Sequence, residues 1–179
     1  VTSLEQVPWL VMLVQVPSEP SRHRVAVWRE LRRFGAVPVG QGAWTAPDVP
    51  ACREGAGKAK ELARAGSGEV LLLTTAPADD AARLRELFTA ARADEWAEFM
   101  ADCGKFTDEI AKETAKRKFT LAELEEEEQS LDRLRRWFRA LRTKDVFGSP
   151  ASTGAEQKLA GCAAALDGFA ALVYSEVHS

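Results

Sequence analysis

Asparagine is absent from the 179 residues, histidine occurs twice and tyrosine once. Without Asn, any direct reading of DNA bases would rest on Arg to guanine and on a few Gln. With only His23 and His178, and no cysteine cluster near either, no zinc set of the usual spacing can be assembled, so no metal site is expected. The three cysteines, Cys52, Cys103 and Cys162, are far apart and form no C-x-x-C. Their odd number, with Cys103 and Cys162 on apolar helix faces, excludes a disulfide scaffold and implies reduced thiols, of which Cys52 is expected to be exposed enough to react. No redox motif accompanies it. Long apolar runs are also missing near the N-terminus: the stretch from Trp9 to Val16 falls far short of the roughly 20 residues a bilayer span requires. Only Glu5 precedes it as a charge, so no basic n-region marks a secretory signal. The expectation is a cytoplasmic protein with no membrane partner. Net charge is −3, which argues against global attraction to nucleic acid and leaves local basic patches to decide the matter.

What is present is the composition of an ordinary globular chain, 46% hydrophobic and 28% charged, which excludes a disordered tail as the main state. Trp9-Leu-Val-Met-Leu-Val-Gln-Val16, stopped by Pro17 and Pro20, reads as a strand buried on both faces. Ser21 then serves as an N-cap for a helix to Phe34, closed by Gly35. Val37, Val39 and Trp44 around Gly40-Gln-Gly42 read as a hairpin whose Pro38 demands an edge or a bulge. A helix follows over 50–65, despite Gly55 and Gly57, and a strand over 70–75. The order β-α-β-β-α-β is that of a ferredoxin-like sheet with two helices on one face. Val11, Leu13, Val25, Trp28, Leu31, Leu71 and Leu73 are its expected core.

From Asp79 onward the chain reads as helical, with breaks near Phe119-Thr120 and Gly148-Ser-Pro150. Trp96, Phe99, Cys103, Phe106 and Ile110 recur at steps of three and four, as in a seam packed against another helix. A second stripe of Leu124, Leu131, Leu134, Phe138 and Leu141 follows Thr120, an N-cap with Glu123 in capping-box position. A third contains Leu159, Cys162, Leu166, Phe169 and Val173. Three such stripes bury one another as an antiparallel bundle, with Glu125 to Glu128 solvated. The fold class is therefore α+β, a ferredoxin-like βαββαβ module over 8–78 followed by a helical bundle over 79–179.

Chemistry is concentrated in arginines. On a helical wheel Arg22, Arg29 and Arg33 form a rail opposite the apolar half of the first helix, spanning roughly 16 Å at about 1.5 Å per residue. That length suits consecutive phosphates or an acidic partner helix, and equally a plain solvated face. Arg24 falls on the apolar side beside Trp28, so its guanidinium must snorkel, stack on a ring, or meet a carboxylate or anion. A second concentration is Arg133, Arg135, Arg136, Arg139, Arg142 and Lys144, six cations within twelve residues. Arg135 and Arg142 flank the leucine stripe and could line an oxyanion pocket, since planar guanidinium groups bind oxyanions in bidentate fashion. The alternative is pairing with Glu123 and Glu125 to Glu128 or with acids of a neighbouring helix. Catalytic patterns are poor: Gly55-Ala-Gly57-Lys58 lacks both the first glycine and the hydroxyl residue of a phosphate loop, and no acid is placed to orient His23. No enzyme, cofactor or catalytic residue is expected.

The motifs Trp9-Leu-Val-Met-Leu-Val, Pro17-Ser-Glu-Pro-Ser-Arg22-x-Arg24-Val-Ala-Val-Trp28-Arg29, Gly35-Ala-Val and Gly42-Ala-Trp44 carry a family resemblance. So do Glu113-Thr-Ala-Lys116-x-Lys118-Phe119-Thr, Leu134-Arg-Arg136-Trp137 and Arg142-x-Lys144-Asp145-x-Phe147-Gly148. From about residue 8 to 148 the sequence resembles the N-terminal domain of the ChrB family of chromate-resistance regulators. More distantly it looks like the ferredoxin-like module of PaaX-type repressors and Cas2, but Gln15-Val-Pro17-Ser18 stands where Cas2 nucleases carry a metal-binding Asp. The resemblance implies a transcriptional regulator that binds promoter DNA and responds to chromate or another oxyanion through these arginines. Many ChrB proteins continue into a second domain implicated in sensing, whereas one helix follows Ser152 here, so a stand-alone short form and a fragment of a longer protein are both open. No helix-turn-helix is legible in residues 1–50. The reading from another class is a non-catalytic interaction module, docking an acidic partner or forming a homodimer.

Overall fold

A computed structural model describes residues 7–75 and 79–178. Its elements are β1 (Trp9–Gln15), α1 (Ser21–Arg33), β2 (Val37–Gly40), β3 (Ala43–Pro47), α2 (Pro50–Ala65), β4 (Glu69–Thr75), α3 (Ala81–Ala115), α4 (Leu121–Lys144) and α5 (Ala151–Val177). They fall into two compact units, Val1–Ala91 and Arg92–Ser179, so that residues 81–91 of α3 group with the sheet.

The first unit is the ferredoxin-like module. Its sheet has the order β2-β3-β1-β4 with every pair antiparallel, and β1 is central as expected. Pro38, which has no N–H to donate, lies on edge strand β2, beside a register shift between Pro38 and Gly40. Gly35 and Gly42 adopt φ of 92° and 70°, left-handed backbone that favours glycine at the end of α1 and at the hairpin turn. Leu10, Met12, Trp44, Ala46 and Val70 face α1 and α2 and form one core with Val27, Leu31, Phe34, Ala56, Ala59 and Ala63.

Four expectations are corrected here. Ser21 is not the N-cap of α1: Pro20 holds that position in extended backbone, and no side chain caps the helix. The helix-facing parity of β1 is the opposite one, so Leu13, Leu71 and Leu73 are 37%, 48% and 45% exposed on the other face of the sheet, where Val11 is half-buried. Trp9 on that face is covered, by the ring of Phe88 at 6.2 Å in edge contact. The buried stripe of α1 runs through Val27, Leu31 and Phe34, which leaves Val25 half-buried and Trp28 exposed. Cys52, finally, is buried in α2 with its thiol directed at the Phe34 carbonyl.

The second unit is the bundle. Trp96 and Phe99 meet Phe138, with ring centroids 5.4 and 5.7 Å apart, while Cys103 meets Cys162 and Phe119 meets Phe169. The Glu95–Lys144 bond at one end and the short connection from Ala115 to Leu121 at the other make α3 and α4 antiparallel, while Cys103 against Cys162 and Phe119 against Phe169 run α5 in the direction of α3. Thr120 caps α4 as expected, its hydroxyl accepting from the Glu123 N–H at 3.3 Å. All three stripes are buried apart from Leu124 and Leu159, which are half-buried. α5 is long and apolar enough by composition to cross a membrane, and its buried stripe of Cys162, Leu166, Phe169 and Val173 belongs to this core. The three cysteines are buried, and burial pushes the Cys103 thiol up to about 12. The acidic run departs from expectation at one residue: Glu127 is buried.

Candidate functional site

α1 carries five arginines and a single acid, Glu30. Its core stripe faces the sheet, so helical periodicity turns Arg22, Arg29, Arg32 and Arg33 outward, and all four are exposed. Glu30 receives Arg33 in a two-pronged bond at 2.8 and 2.6 Å. That bond raises the Arg33 pKa further and takes much of its charge out of the rail. Among the described residues Arg22, Arg29 and Arg32 have no carboxylate partner, so the available rail is Arg22, Arg29 and Arg32. Sequence reading missed Arg32, although it lies three residues after Arg29 and four after Trp28, on the flank that Trp28 also occupies. Arg24 is half-buried and stacks, its guanidinium carbon 5.6 Å from the centre of the exposed Trp28 ring. α1 thus presents an indole face among guanidinium groups.

On α4 the second concentration is also exposed: Arg133, Arg135, Arg136, Arg139 and Arg142 all face solvent. Arg133 donates to Ser130 at 2.8 Å and Arg135 pairs with Asp132 at 3.2 Å, while Arg142 lies 5.9 Å over the Phe138 ring. None is paired with Glu123 or Glu125 to Glu128. Arg136 and Arg139 have no ion-pair partner among the described residues. Lys144 is bonded to Glu95 at 3.3 Å.

Other charged residues of the sequence motifs hold the bundle together. Asp145 accepts from the Trp96 indole at 2.9 Å and from the Ser149 N–H at 2.8 Å, tying α3 to the turn before α5. Glu113 is buried and pairs with Lys116 and Lys118, each at 3.1 Å. Burial pushes its carboxyl up, but the bonds from Lys118 and Lys116 outweigh that and hold it below the usual range. Trp137 packs edge-on against Phe99. By contrast Arg136, in the same motif as Trp137, forms no ion pair among the described residues and is exposed. Among the described residues no three His, Cys, Asp or Glu side chains gather as a metal set.

The family model described as Protein ChrB, N-terminal, matches residues 24–179. The chain belongs to the ChrB N-terminal family. One relative, Protein ChrB of Cupriavidus metallidurans strain CH34, is 30% identical over 169 residues, which cover 92% of this chain and 48% of the relative. The chain therefore spans about half the length of the curated relative it matches. No solved structure matches it. Membership places this ChrB-type chain among proteins related to chromate resistance.

Proposed function

We propose that this ChrB-type chain is a non-catalytic DNA-contacting unit of a chromate-resistance transcriptional regulator. Its α1 rail and the outward arginines of α4 would contact promoter phosphates, and chromate or a similar oxyanion would be the effector. The observation that carries the reading is the outer face of α1, where Arg22, Arg29 and Arg32 lack carboxylate partners among the described residues and the exposed Trp28 stands beside Arg24. In a chain of net charge −3, a helix with five arginines and one acid is a local basic field of the kind phosphate backbones attract. An exposed indole among guanidinium groups also suits stacking on an unpaired base. This reading places the chain in the cytoplasm, where operator DNA is. The test is a gel shift on the DNA upstream of its own gene, with and without chromate. Saturable retention that favours that DNA and changes with chromate supports the proposal, and retention equal on all sequences removes the regulator reading.

A second reading is favoured by the open sheet face, where Leu13, Leu71 and Leu73 are exposed. An apolar face of this kind is found on interaction and homodimerisation modules. It predicts a concentration-dependent mass in analytical ultracentrifugation and no effect of salt on DNA retention.

A further inference from the structure

Within the second unit a groove of about 810 Å³ runs between α3 and α4. Its floor is apolar, formed by Phe106, Leu134 and Trp137, and one end is walled by the carboxylates of Glu109 and Glu113 from α3 and Glu123, Glu126 and Glu127 from α4. The chain's own cations account for part of this wall. Lys118 lies between Glu113 and Glu123, at 3.1 and 3.3 Å, and Lys112 holds Glu109 at 3.0 Å. Lys105 is bonded to Asp102 and Arg133 to Ser130, so neither reaches the remaining acids. Glu127 is left over. It is 7% exposed, lines the groove, and receives no hydrogen bond or ion pair among the described residues, which leaves its carboxylate open to a donor entering the groove. Glu126 beside it, exposed at the rim, has no ion pair among the described residues either.

We propose that this groove binds an aliphatic polyamine, with one ammonium against Glu127, a second near Glu126 and the methylene chain along the apolar floor. Three features select that chemistry. The carboxylates do not gather as a metal set among the described residues, which disfavours a bare cation. The seat of Lys118 shows that the same wall accepts an alkyl ammonium between two carboxylates. A floor of Phe106, Leu134 and Trp137 offers an aliphatic stem a surface that a hydrated metal ion would not use. The inference is independent of DNA contact.

The experiment is titration calorimetry of the 179-residue chain with spermidine at low, matched ionic strength. Saturable 1:1 binding is expected, weakened about tenfold or more by Glu127→Gln, in line with loss of one charge-assisted bond. Glu126→Gln, an exposed change that leaves the core intact, should weaken it by about half as much on a logarithmic scale. Glu125→Gln, exposed and outside the groove, should leave it unchanged. The proposal is overturned by absence of saturation, by an equal loss in Glu125→Gln, or by magnesium chloride displacing spermidine as well as it is displaced by putrescine. Binding of a lysine-rich peptide where spermidine does not bind would overturn it in favour of a protein partner.

Discussion

Gly55 and Gly104 both lie inside helices, yet their surroundings differ in what a side chain would meet. A Cβ on Gly55 would lie 2.1 Å from Cδ1 of the buried Phe34, so α2 can pass the end of α1 only where it has no side chain. A Cβ on Gly104 would meet nothing within 4 Å. Gly55→Ala is therefore expected to lower stability by about 1–3 kcal/mol through overpacking, and Gly104→Ala to raise it by about 0.5–1 kcal/mol through helix propensity. Urea titrations of the two variants measure both signs, and a stabilised Gly55→Ala would contradict the contact with Phe34. Glu127 gives a pH-dependent counterpart. Burial raises its pKa, and the charges of Glu126, Glu109, Glu123 and Glu113 add to the shift, while Lys118 is engaged elsewhere on the wall. A carboxyl whose folded pKa lies above its unfolded value favours folding below the unfolded pKa and loses that contribution as pH rises through the folded one. In the absence of amines Glu127→Gln should raise the melting temperature at pH 8 and change it little at pH 4. An equal effect at both values would show that the carboxyl is solvated.

At the scale of elements, legibility in the sequence followed phase information. The bundle stripes repeat at steps of three and four, which fixes one face of each helix, and their members form the core of the second unit. β1 and β4 carry no such information, because Trp9-Leu-Val-Met-Leu-Val and Val70-Leu-Leu-Leu are apolar on both parities. Pairing decides instead: Met12 opposite Trp44 and Leu10 opposite Ala46 set the side that faces the helices, and one residue of slip would reverse it. In α1 the bulk of Trp28 draws a wheel-based reading toward the wrong flank, and the sheet selects Val27 and Leu31. The arginines were legible as a concentration on α1, whereas the loss of Arg33 to Glu30 and the gain of Arg32 depend on rotamers and on the rotation of the helix. The groove was not legible, since its two walls come from helices whose register only the folded bundle sets. Phe138 tests the part that was. Lodged between Trp96 and Phe99, its replacement by Ala should cost about 3–5 kcal/mol in a denaturant titration. A loss under about 1 kcal/mol would mean that the aromatic cluster contributes shape without stability.

For the whole molecule the governing quantity is where charge of each sign is held. Acids outnumber bases by three, and the bundle groove collects carboxylates, while α1 exposes Arg22, Arg29 and Arg32, which have no carboxylate partner among the described residues. If those arginines meet phosphates, each contact releases condensed counterions, and replacing Arg29 by Gln should flatten the slope of log K against log salt by about 0.9 on every DNA sequence alike. Arg33→Gln should change it less, because Glu30 already holds that guanidinium. Arg24→Gln belongs to a different class: its guanidinium is stacked on Trp28, so the change should leave the slope close to its parental value and weaken any step that depends on the indole. The decisive variant replaces Arg22, Arg29 and Arg32 together by Gln. A flattening near three times the single-site value, with the fold intact by circular dichroism, ties DNA retention to this face of α1. Undiminished affinity at low salt would reduce the rail to a solvated surface, and the apolar sheet face with Leu13, Leu71 and Leu73 would then be the better guide to what this protein binds.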